Sequence, residues 1–383
     1  MRTSLVTAVT LTSVLCIGSS SLAANRVLPP FDPDAARQVM GRQTPSGPCT
    51  DPPPPAVDMG GLQSRYDPKD PTQSKVDPER DRRDKERSAS VEKFTTEIDR
   101  LADRYATSQP PNQQIAACMM HKVAVWARAE ALTRNVDQND RLGRHQAIMT
   151  QAWHGAGLAS ALVRAGGLEA APGPDADAVR DWMRRLALNV KAEYTPPFTW
   201  LIPANNHKYW SGYFLGIAAA LLNDPTLFKS ARSILDDAID DIGPDGSIAK
   251  EMSRGPRAQS YQFFATMPIV GLAVQAERNG VPLSTKQYEA LDRLLTFNVD
   301  AHQNPGLAET KARAKQEPTN RSFDFAWVDM IMPSLKKRNP DLAARLDAVV
   351  SAPRMRPAWH IFLGGDVTAT YNPPALSRSP SAQ

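Results

Sequence analysis

Two short segments hold the residue types that chemistry on an acidic substrate requires. The first is Trp200-Leu201-Ile202-Pro203-Ala204-Asn205-Asn206-His207-Lys208-Tyr209-Trp210. Pro203 and Asn205 ahead of an apolar-periodic run predict a helix start capped by Asn205, which puts Asn206 and His207 in the first turn. Backbone N–H groups there lack intrahelical partners, and the positive end of the helix dipole favours an anion. Trp210, three residues beyond His207, shares its helix face. The second segment, Asp245 to Tyr261, contains Glu251, Arg254, Gly255-Pro256 and Arg257. Gly255-Pro256 closes irregular chain and opens a helix, with Arg254 just before it and Arg257 and Tyr261 four apart on one face. Two guanidiniums beside a phenol favour the phenolate, so Tyr261 is expected to ionise below its ordinary value of about 10. Taken singly, each segment has a plainer reading: a core histidine beside a cap, and a structural tyrosine with surface arginines.

Taken together, the segments suit one reaction. A polyuronate has an acidic hydrogen at C5, beside its carboxylate, and a glycosidic oxygen at C4 that can leave. The ionised carboxylate raises the barrier to removing that hydrogen, so it must be neutralised while one proton is taken and another given. Asn206 and Arg254 can hold the carboxylate; Tyr261 and His207 can move the protons. This is β-elimination, and it calls for neither a metal cofactor nor a nucleophile.

The pattern Asn-Asn-His-x-Tyr-Trp followed by Asp-Gly-x4-Glu-x2-Arg-x6-Tyr resembles the alginate lyases of polysaccharide lyase family 5. The 54 positions from His207 to Tyr261 and the 7 from Arg254 to Tyr261 match that pattern. The resemblance implies an all-α fold, an incomplete (α/α) toroid of antiparallel helix pairs with an extended N-terminal lid-like arm. It implies that Tyr261 is the catalytic base and acid on mannuronate, with His207 neutralising charge or acting as alternative base. Asn206 and Arg254 would hold the carboxylate, Trp210 and Arg257 would line the sugar subsites, and Arg65 and Tyr66 would close over substrate as lid residues. The family often has Lys where Arg65 stands, and it usually flanks its catalytic tyrosine with histidines, where this chain has Ser260 and Gln262. Those departures bear on substrate choice rather than on the core chemistry.

The elements that must position these residues are legible as helices. Phe94, Ile98, Leu101 and Tyr105 follow the helical period. Asp224-Pro225 opens a second clear helix that stops at Gly243-Pro244, and Ser284 with Gln287 predicts a capping box for a third running to about Asp300. Further helices are expected over 113–133, 137–166, 175–193, 206–222, 257–278, 323–336 and 338–351. Short links between them imply antiparallel neighbours in a solenoid or closed toroid. This catalytic body is expected to span 91–367. Ahead of it, residues 24–90 read as a proline-rich arm and lid, since 12 of the 33 prolines fall in 25–80. The run Glu79 to Arg87 mixes both signs and reads as a solvated helix face. Residues 368–383 are expected to form a frayed tail.

Residues 1–23 have the short positive start, apolar stretch and small-residue end of a signal peptide, which predicts export to the periplasm. Cleavage there would remove Cys16 and leave Cys49 and Cys118, an even pair in an oxidising compartment. A disulfide between them would close a 69-residue loop and stabilise the fold by roughly 4 kcal/mol; the other reading is two free thiols. With 45 basic and 41 acidic residues the net charge is +4, too small for a nucleic-acid binder. No apolar run after the signal spans a membrane. The expected partner is an anionic polyuronate such as alginate, met by a monomer. Asp236, Asp237, Asp240 and Asp241 lie on a helix face without calcium-loop spacing. His121, His145, His154, His302 and His360 are scattered and read as structural or surface residues. Three rivals stay open: a lyase of the same mechanism acting on polyglucuronate, a glycan-binding protein without turnover, and a hydrolase using Asp245 and Glu251.

Overall fold

The computed structural model describes residues 26–136, 141–194, 205–319 and 321–374. The predicted signal peptide and residues 200–204 of the first motif lie outside them. After a short α1 (Ala35–Met40), the body is built from α2 (Pro78–Ala106), α3 (Gln113–Arg128), α4 (Arg141–Arg164), α5 (Pro174–Glu193), α6 (Asn206–Leu222) and α7 (Pro225–Asp240). It continues through α8 (Ala249–Met252), α9 (Ala258–Arg278), α10 (Thr285–Gln303), α11 (Gly306–Ala312), α12 (Ala326–Arg338), α13 (Pro340–Val350) and α14 (Val367–Tyr371). A two-residue antiparallel pair, β1 (Trp359–His360) with β2 (Gly365–Asp366), precedes α14.

The long helices alternate between two layers. Helices α2, α4, α6, α9 and α12 touch one another in succession as an inner ring, and α3, α5, α7, α10 and α13 flank them outside. Sequence decides which layer each helix joins. Fourteen residues of α6 are buried, from Asn206 to Leu221. A helix apolar all round can lie only in an interior, whereas α7 buries one stripe (Leu227, Ala231, Ile234, Leu235, Ala238, Ile239) and turns its aspartates outward. The ring is incomplete between α12 and α2. The C-terminal segment fills that gap, with α14 against α12 and β2 against α2. Gly157 of α4 lets this segment approach, because a Cβ there would meet the Ile361 carbonyl oxygen at 2.1 Å.

The helical elements fall close to where the sequence puts them, with two corrections. The body begins at Pro78, not at 91: Asp77 caps α2 by accepting from the Arg80 N–H, and the mixed-charge run forms its first turns through ion pairs such as Arg82–Glu86 at 2.6 Å. Charges that pair at i,i+4 support a helix, so the run extends the apolar-periodic part instead of preceding it. At the other end Val367–Tyr371 is helical and buried, not frayed; Asp366 caps it, and the Tyr371 hydroxyl meets that of Tyr213 at 3.0 Å.

The arm is extended and pinned along α3. Cys49 and Cys118 form a disulfide. Beyond it Trp126 Nε1 donates to the Pro53 carbonyl at 2.9 Å, Leu132 N to Ala56 at 2.8 Å and Met59 N to Arg134 at 2.9 Å. Reduction, or Cys49→Ser with Cys118→Ser, is expected to lower the unfolding free energy by about 2–5 kcal/mol. Thermal melts with and without reductant measure this; an unchanged Tm would mean the hydrogen bonds alone hold the arm.

Candidate active site

The N-terminal turns of the inner helices face one groove of about 1040 Å³. His145 comes from the first turn of α4, His207 from that of α6 and Tyr261 from that of α9, while Phe323 and Asp324 precede α12. Asn205 caps α6 as its sequence predicts, accepting from His207 N at 3.1 Å. Several helix N-termini at one rim bias it towards an anion.

The segment 61–77 covers the groove as a lid. Tyr66 bridges Val76 antiparallel, Asp67 N donates to the Lys75 carbonyl at 2.9 Å and Asp77 N to that of Arg65 at 3.1 Å. Asp70 holds the turn by accepting from the backbone N–H groups of Thr72, Ser74 and Lys75 at 2.8–2.9 Å. Donation from Lys75 and the Thr72 hydroxyl holds its carboxyl well below the ordinary range. The lid rests on the second motif: Thr72 lies against Gly255, whose φ of +54° suits glycine.

Tyr261 sits where lid and helices meet. Its hydroxyl lies 2.6 Å from that of Tyr66, which also accepts from Arg257 Nη1 at 2.9 Å. The Arg254 guanidinium lies 3.8 Å from the Tyr261 ring centroid. The expected fall in the phenol's pKa does not occur. Burial raises it above the ordinary value and outweighs the pull of Arg254 and Arg257, while Tyr66 adds to the rise. Charge alone suggested ionisation; desolvation, invisible in sequence, reverses the sign.

Arg254 is set apart from the other cations of the groove by its burial. Arg65 pairs with Asp81 at 2.6 Å, Arg257 with Glu317 at 3.2 Å and Arg321 with Asp324 at 3.2 Å. Arg254 is buried, at 7% exposure, and no carboxylate among the described residues pairs with it. Its Nη2 donates to the Gln73 carbonyl at 2.7 Å and its Nε is buried without a partner. A buried guanidinium held by the neutral oxygens of Gln73 and by the faces of Tyr261 and Tyr66 is short of the anion that would compensate its desolvation.

Two expected contacts are absent. Trp210 does not line the groove: it is fully buried, stacked on His360 at 5.7 Å and edge-on to Tyr213 at 5.8 Å. Only the first turn of α6 opens to the groove, so Trp210, a turn deeper than His207, shares its face without sharing its exposure. The aromatic lining comes instead from Trp153, Phe264, Phe323 and Tyr66. Asn206 is likewise fully buried, with its backbone N and Nδ2 donating to Glu251 at 2.7 and 2.9 Å, so it does not line the groove either. The departures beside Tyr261 have definite places: Ser260 lines the groove, and buried Gln262 accepts from Ile248 N at 3.0 Å and donates to the Gly246 carbonyl at 3.1 Å. Gln262 thereby holds the loop that leads to Arg254.

Glu251 anchors the start of α6. At 1% exposure and outside the groove lining it cannot reach a glycosidic bond, and Asp245 is tied to Ser247 and Lys311, so the hydrolase pair is not assembled. Burial pushes the Glu251 carboxyl up to about 7, although donation from Asn206 opposes the rise. A raised carboxyl pKa contributes stability below the unfolded value near 4.3 and loses it as pH rises through 7. Wild type is therefore expected to lose on the order of 3 kcal/mol between pH 4 and 8 relative to Glu251→Gln. Parallel stability–pH curves from denaturant melts would refute this.

His145 is the residue that sequence reasoning passed over. It lines the groove, and its Nε2 lies 3.0 Å from His207 Nδ1. Four positions before Met149 and eight before Trp153, it belongs to the groove-facing stripe of α4, but that signal is readable only once the groove is known. The other scattered histidines do stand apart: His121 pairs with Asp175, His154 is bonded to Thr95, His302 rests on Phe325 and His360 is buried.

This arrangement agrees with what the chain is similar to. The family model described as alginate lyase matches residues 61–307, more than half of the chain. A polysaccharide lyase of Stenotrophomonas maltophilia (strain K279a) is 28% identical over 84% of this chain and 89% of its own length. An alginate lyase of Pseudomonas syringae pv. syringae is 25% identical over 92% and 90%. Alginate lyase A1-III of Sphingomonas species A1, solved as a complex with tetrasaccharide, superposes with a TM-score of 0.74 at 20% identity, covering 93% of this chain and 99% of that one. The two-layered helical body is thus the α/α toroid of that structure, and the chain belongs to the alginate lyase family and is a polysaccharide lyase.

Proposed function

We propose that this enzyme, exported to the periplasm, cleaves the 1,4 linkage of alginate by β-elimination. It prefers mannuronate stretches and leaves a 4,5-unsaturated uronate at the new non-reducing end. The observation that carries the reading is Arg254, a buried guanidinium with no carboxylate partner among the described residues, against the ring of Tyr261. A uronate carboxylate placed on Arg254 has its charge neutralised, which lowers the barrier to losing the C5 hydrogen. The C5–H electron pair becomes the C4–C5 double bond as the C4–O4 bond breaks. Tyr261 passes its hydroxyl proton to His207, takes the C5 proton and returns that proton to O4, after which His207 gives the first proton back. His207 completes the proton-moving pair, Arg257 holds the lid through Tyr66, and Arg65 flanks the subsites. Asn206 acts from behind, fixing the first turn of α6 on Glu251 and thereby placing His207.

The test is ultraviolet absorbance during incubation with polymannuronate, polyguluronate and polyglucuronate. Absorbance from the conjugated double bond, rising fastest on polymannuronate, is the expected result. A faster rise on polyglucuronate would transfer the same mechanism to that polymer. Binding of folded protein to a polymer with no absorbance change on any would leave a glycan-binding protein.

A further inference from the structure

The groove holds two carboxylates that the proposed elimination does not use and that oppose an anionic substrate. Asp84 and Glu92, eight residues apart on α2, both line it. Among the described residues, every other acidic side chain of the lining is paired: Asp67 with Lys75 at 4.0 Å, Glu317 with Arg257 at 3.2 Å and Asp324 with Arg321 at 3.2 Å. Neither the Asp84 nor the Glu92 side chain has a hydrogen bond or an ion pair among those residues. The nearby cations are taken, since Arg65 and Lys85 pair with Asp81 at 2.6 and 2.7 Å. Other members of the mixed-charge run pair along the helix, as Glu79 does with Arg82 and Arg83, whereas Asp84 turns into the groove. Burial pushes the Asp84 carboxyl above its ordinary range; Arg65 opposes the rise, and Glu92 and Asp81 add to it. The charge of Glu92 thus reaches Asp84 across two turns of helix.

The two carboxylates stand away from the reacting centre. Helix α2 is one end of the inner ring, and α4 separates it from α6 and α9, which carry His207 and Tyr261. Arg80, one turn before Asp84, lines the groove too, and its Nη1 donates to the Ser64 carbonyl at 3.0 Å. The wall formed by α2 therefore presents one positive and two negative side chains. A polyuronate has a carboxylate on every unit. A unit beside Tyr261 meets Arg254, but a unit that reaches α2 meets a net negative wall. Between low-dielectric walls such repulsion is felt more strongly than on an open surface.

We infer that Asp84 and Glu92 are specificity-determining residues that reject a uronate carboxylate at the α2 wall, and so confine the polyuronate to the subsites between α4 and α12. This rests on the lyase reading and deepens it, because it fixes how long a run of uronates the groove rewards. Each unit added within those subsites gains contacts, and a unit added beyond them at the α2 end gains none. A neutral sugar unit, whose hydroxyls donate to carboxylates, meets no such barrier there.

The experiment measures kcat/KM by ultraviolet absorbance on mannuronate oligomers of increasing length and on long polymannuronate. Wild type is compared with the double variant Asp84→Asn, Glu92→Gln. In wild type kcat/KM is expected to level off at short length, and in the double variant to go on rising. The ratio of long to short should increase by about tenfold, the low end for charges a few ångströms apart near a surface, since Glu92 is exposed. In 1 M salt, where the screening length is about 3 Å, that increase should shrink to about twofold. Glu92→Gln alone, a change at an exposed position, should give part of the effect. An unchanged length dependence in the double variant, or in Glu92→Gln if the double variant does not fold, overturns the inference. An increase that persists in 1 M salt overturns it as well, because it would come from contact and not from charge. If wild type produces no absorbance on any polyuronate, the lyase reading fails, and calorimetric binding of the same oligomers decides the charge barrier by the same ratio.

Discussion

Tyr261→Phe is expected to lose about 10³-fold in kcat on polymannuronate while still binding the polymer. General acid–base groups contribute roughly 10²–10⁴, and this hydroxyl serves both proton transfers in the proposed elimination. The phenyl ring can keep its place under Arg254, since the 3.8 Å contact is to the ring and not to the oxygen. Polymer affinity should therefore change little, although Tyr66 loses its 2.6 Å partner and the lid some of its hold. Initial rates by ultraviolet absorbance, with calorimetric titration of the polymer, separate the two quantities. A variant within tenfold of wild type would remove Tyr261 from the chemistry. A variant that no longer binds would make it a subsite residue.

Arg254→Ala should cost about 10²–10³ in kcat/KM, in the range seen when one preorganised donor to a developing oxyanion is removed. The loss has two physical sources. The uronate carboxylate keeps its full charge, so the C5 hydrogen stays weakly acidic. The lid also loses its tie, because Arg254 donates to the Gln73 carbonyl at 2.7 Å. Arg254→Lys restores charge but not a planar fork and should recover only about tenfold. Full recovery with Lys would mean that point charge suffices. A rise in KM alone, with kcat intact, would make Arg254 a binding group with no share in the transition state.

The chemistry was legible where it is local. Asn205 as cap, His207 in a first turn, Arg254 before a helix and Tyr261 just inside it depend on cap and turn preferences within a few residues, and each stands where those preferences put it. The helical period likewise marked nearly every element of the body. The errors fall where a residue's meaning depends on its surroundings. The family resemblance puts Trp210 at the sugar subsites, but only the first turn of α6 opens to the groove and Trp210 lies a turn deeper, fully buried. Tyr261 was assigned a lowered pKa from its arginines, but burial outweighs them. His145 and Glu193 carry no motif, and only the packing of α4, α5 and α6 brings His145 to His207 and Glu193 to His145.

The sequence by itself determined a helical chain with a histidine, an arginine and a tyrosine at helix starts, because helical period and capping are local properties. The tertiary structure alone decided which helices form the inner ring and that their N-termini meet at one groove. It also decided that Asn206 serves Glu251 and that Arg254 is left without a carboxylate. Those outcomes depend on desolvation and on contacts between residues tens to hundreds of positions apart, and no local preference encodes them.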